Sequence, residues 1–178
     1  MVIDLTALSE GETRWSQTAG PEDLELELPD FTFGNPIAVR LAVNHVESQY
    51  ILKGWINATA RTRCVKCLEE FELAVDEEIG WVVQVIADPA ALAEQEESDD
   101  FWFIDRTQSQ LEIAPRVRET VLINLPAHPV CRTDCRGLCP RCGANLNQGP
   151  CGCTKKEIDN HWGPLKDLLN VPKNNGAE

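Results

Sequence analysis

Six cysteines fall within 23 residues toward the C-terminal end of this 178-residue chain. The stretch reads Cys131-Arg-Thr-Asp-Cys135-Arg-Gly-Leu-Cys139-Pro-Arg-Cys142-Gly-Ala-Asn-Leu-Asn-Gln-Gly-Pro-Cys151-Gly-Cys153; the other two, Cys64 and Cys67, stand alone upstream. Thiol pairs separated by a short Gly-, Asn- and Pro-rich loop are how a chain wraps a tetrahedral ion such as zinc. The Cys139-x-x-Cys142 turn lets two thiolates reach one ion, and Gly143 tolerates the positive φ that such a turn tends to require. Cys151-Gly-Cys153 can supply the other two ligands, with Gly152 allowing the bend. A loop of reduced thiols would have almost no core here, whereas structural zinc supplies on the order of 10–16 kcal/mol of apparent folding free energy in small modules.

Cys64, Cys67, Cys131 and Cys135 remain. By arithmetic alone they form a second four-thiol site tying the body to the start of the cysteine-rich module. Three alternatives stay open. Cys64/Cys67 can be a thiol-disulfide redox pair, although such pairs open a helix in a βαβ unit and this one lies between apparent antiparallel strands. An iron–sulfur cluster also takes four thiolates. An even cysteine count allows a disulfide framework, but the N-terminus lacks the basic start and apolar stretch of an export signal, so the expected location is cytoplasmic and the thiols reduced. No apolar run approaches about 18 residues, so no membrane span is expected.

The net charge of −13 is unevenly placed. Residues 1–60 carry 3 Lys/Arg against 9 Asp/Glu, residues 61–130 carry 6 against 15, and residues 131–178 carry 7 against 5. Phosphate backbones are repelled by the first two segments, which argues against wholesale nucleic-acid binding and for a basic protein partner. Acidity that simply confers solubility is an equally good reading. Any RNA contact is expected around Arg132, Arg136 and Arg141, with Lys155 and Lys156 nearby.

Along the chain, residues 1–20 show no clean period and read as a short edge element or arm. Leu24-Glu-Leu-Glu-Leu28 alternates and predicts a strand. Residues 37–63 predict a long antiparallel hairpin that delivers Cys64 and Cys67 at a strand end. Phe71, Leu73 and Val75, then Ile79 to Ile86, continue the strands. Residues 88–100 predict one helical turn and an acidic loop, and Phe101-Trp-Phe-Ile104 is a short apolar run. Ala114, Val117, Val121 and Leu125 fall on one side of a helix near 113–125, ended by Pro126. Ile158, Trp162, Leu165, Leu168 and Leu169 suggest a C-terminal amphipathic helix. The expected class is α+β: an antiparallel sheet, open or barrel-like, over residues 1–130, with one main helix, a zinc-binding module at 131–170 and a frayed tail at 171–178.

No active site emerges. There is no Ser/His/Asp arrangement, phosphate-cradling loop or His-Glu helix motif. Glu69-Glu70 and Asp76-Glu77-Glu78 read as solvated strand ends. His128 precedes Cys131 and is more simply a surface residue; His45 and His161 have no obvious partner. The five tryptophans read as core or rim, since basic side chains do not interleave with them as a base-stacking platform requires.

Gly54, then Cys64-Val-Lys-Cys67-Leu-Glu-Glu-Phe71, resembles the middle signature of the bacterial YceD-type family. So does the run from Leu111-Glu-Ile through Leu122-Ile-Asn-Leu-Pro126 to Val130-Cys131. The most specific block is Asp134-Cys135-Arg-Gly-Leu-Cys139-Pro-Arg-Cys142-Gly-Ala-Asn-Leu-Asn147, closed by Cys151-Gly-Cys153. Together these span roughly residues 37–170. The resemblance implies a role in accumulation of large-subunit ribosomal RNA, through synthesis, processing or stability of 23S rRNA. It also implies that metal supports the fold, because some members lack much of the cysteine cluster. With the acidic body, this makes a large-subunit ribosomal protein or pre-ribosomal particle the expected partner, and a small-molecule substrate is not expected. The alternative is a redox enzyme using Cys64/Cys67. A metal-dependent nuclease is weaker, since four-thiolate sites leave no open position.

Overall fold

The computed structural model describes residues 1–87 and 101–153. In chain order its strands are β1 (Val2–Asp4), β2 (Gly11–Ala19), β3 (Phe31–Phe33), β4 (Ile37–Val46), β5 (Gln49–Arg63), β6 (Glu70–Ile86), β7 (Phe101–Asp105) and β8 (Gln110–Glu112), followed by one helix, α1 (Ala114–Ile123).

Alternation builds the main sheet. β4 buries Ile37, Val39, Leu41 and Val43, and β5 buries Tyr50, Leu52, Ile56, Ala58 and Ala60, so one face of each strand is apolar. A two-residue turn at Glu47–Ser48, with Glu47 at φ +54°, closes their hairpin. β6 then runs back along β5 from Gln49↔Gln84 to Arg63↔Glu70, which leaves Cys64 and Cys67 in the connecting turn. The expected long hairpin and its cysteine-bearing end are both present. β2 adds outside β4, and β3 pairs with β5 beyond the point where β4 has ended. β1 and β8 form a separate two-stranded ladder.

α1 begins with Pro in its first turn, where a missing N–H costs nothing. It buries Val117 and Val121 and packs against β5 and β6, while Ala114, Leu122 and Leu125 pack at the margin. Ile3 from β1, Leu111 from β8 and Ile113 complete the same core.

Four expectations change. The sheet is mixed, because β7 runs parallel to β6 (Val82↔Phe101 to Ile86↔Asp105). A short apolar run carries no information about strand direction. Its path, β2-β4-β5-β6-β7, ends at two edges, so among the described residues it is open and no barrel forms. Leu24–Leu28 is not a strand: a 3-10 turn (Glu22–Leu24) leads into irregular backbone with Glu25 at φ +50°. Leu24 and Leu26 are nevertheless buried, and local bonds such as Leu26 N–H to the Pro21 carbonyl (2.9 Å) replace a ladder. Conversely, Gly11–Ala19 within the expected arm is a nine-residue edge strand, largely solvated and therefore without an alternating pattern.

The tryptophans divide. Trp81 and Trp102 are core and meet edge to face, but Trp55 is 48% exposed on the outer face. The expected helical turn and acidic loop at 88–100, the C-terminal helix, His161 and the tail lie outside the described residues.

Candidate metal centres

The turn between β5 and β6 is Cys64-Val-Lys-Cys67-Leu-Glu. Cys64 N–H donates to the Glu69 carbonyl (2.9 Å) and Leu68 N–H to the Cys64 carbonyl (2.9 Å), which folds it tightly. Leu68, directly after Cys67, is held at φ +62°, the place that Gly143 takes at φ +72° after Cys142. Val65 N–H donates to the Pro129 carbonyl (2.9 Å) and Leu138 N–H to the Lys66 carbonyl (3.0 Å), drawing the later segment onto this turn. A Cβ at Gly137 would lie 2.9 Å from the Lys66 oxygen, and Gly137 sits at φ +72°, so the close approach depends on glycine.

These contacts gather Cys64, Cys67, Cys131 and Cys135. The Cys64 and Cys135 sulfurs are 3.8 Å apart, those of Cys67 and Cys131 are 3.7 Å apart, and all four lie within 4.8 Å of one another. Cys64, Cys67 and Cys135 are buried among Phe71 and Val130, a small core separate from the main one.

The second group sits on a miniature hairpin. Cys139 N–H donates to the Ala144 carbonyl (2.8 Å), Gly143 N–H to the Cys139 carbonyl (2.9 Å) and Leu146 N–H to the Gly137 carbonyl (2.9 Å). Cys151 and Cys153 return to Cys139 and Cys142, again with all four sulfurs within 4.8 Å. This group is shallower, with Cys142 exposed and Cys151 and Cys153 half-buried.

Four thiolates 2.3 Å from a tetrahedral ion stand about 3.8 Å apart, which is the spacing of the paired sulfurs in the first group. A disulfide needs about 2.05 Å, and all eight thiols are free. Each cluster can therefore hold a metal ion. The backbone prepares for one. Burial opposes ionisation of Cys64, but the N–H groups of Cys131, Cys67 and Lys66 aimed at its sulfur outweigh this and bring it down to about 6. The N–H groups of Cys142 and Arg141 lower Cys139 to about 6 as well. Cys135 is lowered chiefly by Asn147, whose Nδ2 stands 3.3 Å from the sulfur. The neighbours of these thiolates go the other way. Burial and then the adjacent thiols push Cys131 up to about 12, and Cys142 and burial push Cys153 up to about 12. Bound by all four sulfurs, a cation would reverse that opposition, because it would stabilise every thiolate at once.

Asn147 was not singled out as a site residue from sequence. Its Oδ1 also accepts from Arg136 N–H (2.8 Å), and Gln148 Nε2 donates to Glu69 Oε1 (3.2 Å), so this loop clamps the first cluster from outside. Its signals in the sequence are its place between two cysteine pairs and at the end of the block that carries the family resemblance. Arg132, Arg136 and Arg141 are exposed around the clusters, and Arg132 pairs with Asp134 (3.4 Å). His128 is exposed and joins neither group; His45 stacks on Tyr50 with centroids 4.3 Å apart. No helix among the described residues is long and apolar enough to cross a membrane.

Residues 52–169 match the family described as large ribosomal RNA subunit accumulation protein YceD. An uncharacterized Mycobacterium leprae protein is 32% identical over 152 residues, covering 83% of this chain and 67% of its own length. An uncharacterized Mycobacterium tuberculosis protein is 28% identical over 151 residues, 84% of this chain and 70% of the relative. The chloroplastic large ribosomal RNA subunit accumulation protein YCED homolog 1 of Arabidopsis thaliana is 26% identical over 164 residues, 80% of this chain but only 51% of the plant protein. No solved structure matches. The match covers both cysteine clusters, the β5–β6 hairpin from Leu52 onward and α1, and on that ground the chain belongs to the YceD family.

Proposed function

We propose that this protein is a non-enzymatic factor in large-subunit ribosome biogenesis, supporting synthesis, processing or stability of 23S rRNA, with zinc as scaffold. The observation that carries the reading is family membership joined to two closed four-cysteine clusters. Four protein ligands leave an ion no position for water or substrate, so its part is structural. Zinc is preferred to an iron–sulfur cluster because sulfurs this close leave room for one ion, without bridging sulfides. The ligands are Cys139, Cys142, Cys151 and Cys153 for one ion, and Cys64, Cys67, Cys131 and Cys135 for the other. In this reading residues 131–170 are the zinc module on a 1–130 body.

The partner is a basic large-subunit ribosomal protein or the pre-ribosomal particle in the cytoplasm, and the net charge of −13 favours the basic protein. Arg132, Arg136 and Arg141 are candidates for contact with the particle. Against a redox role stands the burial of Cys64, whose lowered thiol has no exposed surface from which to attack a protein disulfide.

The test is the ratio of 23S to 16S rRNA, with precursor profiles, in depleted cells re-expressing the intact or a cysteine-to-serine protein. The expected result is a selective 23S deficit rescued only by intact cysteines. A normal ratio on depletion would sink the reading.

A further inference from the structure

The sheet's outer face carries a feature unrelated to the cysteines. Residues 1–60 hold three Lys/Arg, namely Arg14, Arg40 and Lys53, against nine Asp/Glu. Those three cations come from three strands, yet register sets them on one face. Arg40 on β4 is directly across from Trp55 on β5, while Ala42 stands between Arg14 on β2 and Lys53 on β5. Cross-strand partners project to the same side, as do residues two apart on one strand. All four side chains are exposed. With Ser16, Ala42 and Gly54 they line a groove of about 530 Å³ whose only carboxylate among the described residues is Glu78. None of the three cations has an ion-pair partner among the described residues. Further along β5, by contrast, Arg61 faces Glu72 (3.7 Å) and Arg63 faces Glu70 (3.6 Å).

We propose that this groove, floored by Ala42 and Gly54 and bounded by Trp55, Arg14, Arg40 and Lys53, is a docking platform for single-stranded RNA. Phosphates satisfy cations that have no ion pair among the described residues, and the indole offers a flat face on which an unpaired base stacks. Arg14 and Lys53 sit two strand spacings apart, roughly 10 Å between backbones, with only a small alanine between them, so a strand can settle in the trough. A duplex keeps its bases stacked and cannot reach the indole. An acidic peptide matches the cations but leaves Trp55 without a partner. Basic side chains do not interleave with the tryptophans along the sequence, yet in the fold Arg14, Arg40 and Lys53 flank Trp55. The interleaving is across strands and becomes visible only with the register. The inference deepens the biogenesis reading and rests on it only for which RNA is bound.

The test uses the full, zinc-loaded chain and fluorescence anisotropy of a short mixed-sequence single-stranded oligoribonucleotide, with its duplex and a polyglutamate peptide as competitors. Trp55→Ala is expected to weaken binding roughly 5- to 150-fold, the range of base–aromatic stacking. The combined Arg14→Ala, Arg40→Ala, Lys53→Ala variant should flatten the slope of log affinity against log salt by about 2, and Glu78→Gln should tighten binding. All are surface changes, and unchanged thermal unfolding verifies the fold. Absent wild-type binding, wild-type behaviour of both the Trp55 and the triple variant, or preference for duplex or polyglutamate overturns the platform. If the platform fails while depletion still lowers 23S rRNA, only this inference falls. If the oligonucleotide binds as expected while depletion leaves 23S rRNA normal, the biogenesis reading falls and the platform stands.

Discussion

At residue 54 the chain has no room for a side chain. A Cβ there would lie 1.9 Å from the Arg40 carbonyl oxygen and 2.9 Å from the Leu41 Cα, both rigid backbone atoms in the middle of the β4–β5 ladder. Gly54→Ala should therefore cost more than about 3 kcal/mol, beyond ordinary overpacking, because neither strand can give way without breaking pairs. Thermal unfolding of the purified variant checks this, and a Tm within a few degrees of wild type would contradict it. Gly137→Ala is a milder case of the same kind. Its Cβ would meet the Lys66 oxygen at 2.9 Å, in a backbone conformation at φ +72° that disfavours side chains by roughly 1–2 kcal/mol. It should loosen the first cluster, read as metal release at lower chelator concentration, and leave the main sheet intact. In the sequence, Gly54 is legible as a position of the alternating strand and of the family signature, but a glycine between Lys53 and Trp55 does not announce which carbonyl passes beside it.

The two cysteine-bearing hairpins are similar in design and different in exposure. The β5–β6 turn contributes to a cluster in which three of four cysteines are buried, whereas the miniature hairpin at Cys139–Cys142 holds a cluster with Cys142 exposed. A chelator should thus remove metal in two phases, the fast one abolished by Cys142→Ser and the slow one by Cys64→Ser. Simultaneous release would contradict the difference. Acid should speed both. Cys64 and Cys139 ionise in the fold near 6, against an ordinary 9.0. The stability these thiolates contribute is therefore fully present above pH 9 and lost as the pH falls through about 6. Proton competition for the ion has the same sign, so retention against a fixed chelator should collapse between about pH 7 and 5. Cys131 and Cys153, pushed up to about 12, stay protonated across that window in the metal-free fold and add no slope to its stability, but each must give up a proton to bind the ion and so steepens the loss of metal. Much at this scale could be read in advance. The alternation of β4 and β5 and the period of α1 are burial patterns, and burial is what an apolar period encodes. What escaped was pairing: β7's direction, the solvated β2, and a Leu24–Leu28 segment that buries its leucines without joining a sheet.

Across the described residues there are two cores that share no residue. One lies under the sheet and α1, running from Ile3 to Val121, and the other surrounds Cys64, Cys67 and Cys135. They meet through the β5–β6 hairpin, whose far end at Arg63↔Glu70 leads directly into the Cys64–Cys67 turn. The first core is large and apolar and contains no cysteine, whereas the second is a few side chains around three thiols. Stripping metal should accordingly release residues 131–153 without unfolding the sheet. Trypsin should then cut at Arg132, Arg136 and Arg141 at low enzyme ratios, while the strand signal in circular dichroism persists. The cost to the sheet is fraying of the last few β5–β6 pairs, on the order of 1–2 kcal/mol, or a Tm lower by less than about 8 °C. The metal-loaded chain should resist trypsin at those three arginines under the same conditions. If chelation instead melted the sheet, the two cores would be one cooperative unit, and the ion would be a requirement for the whole fold rather than for its C-terminal portion.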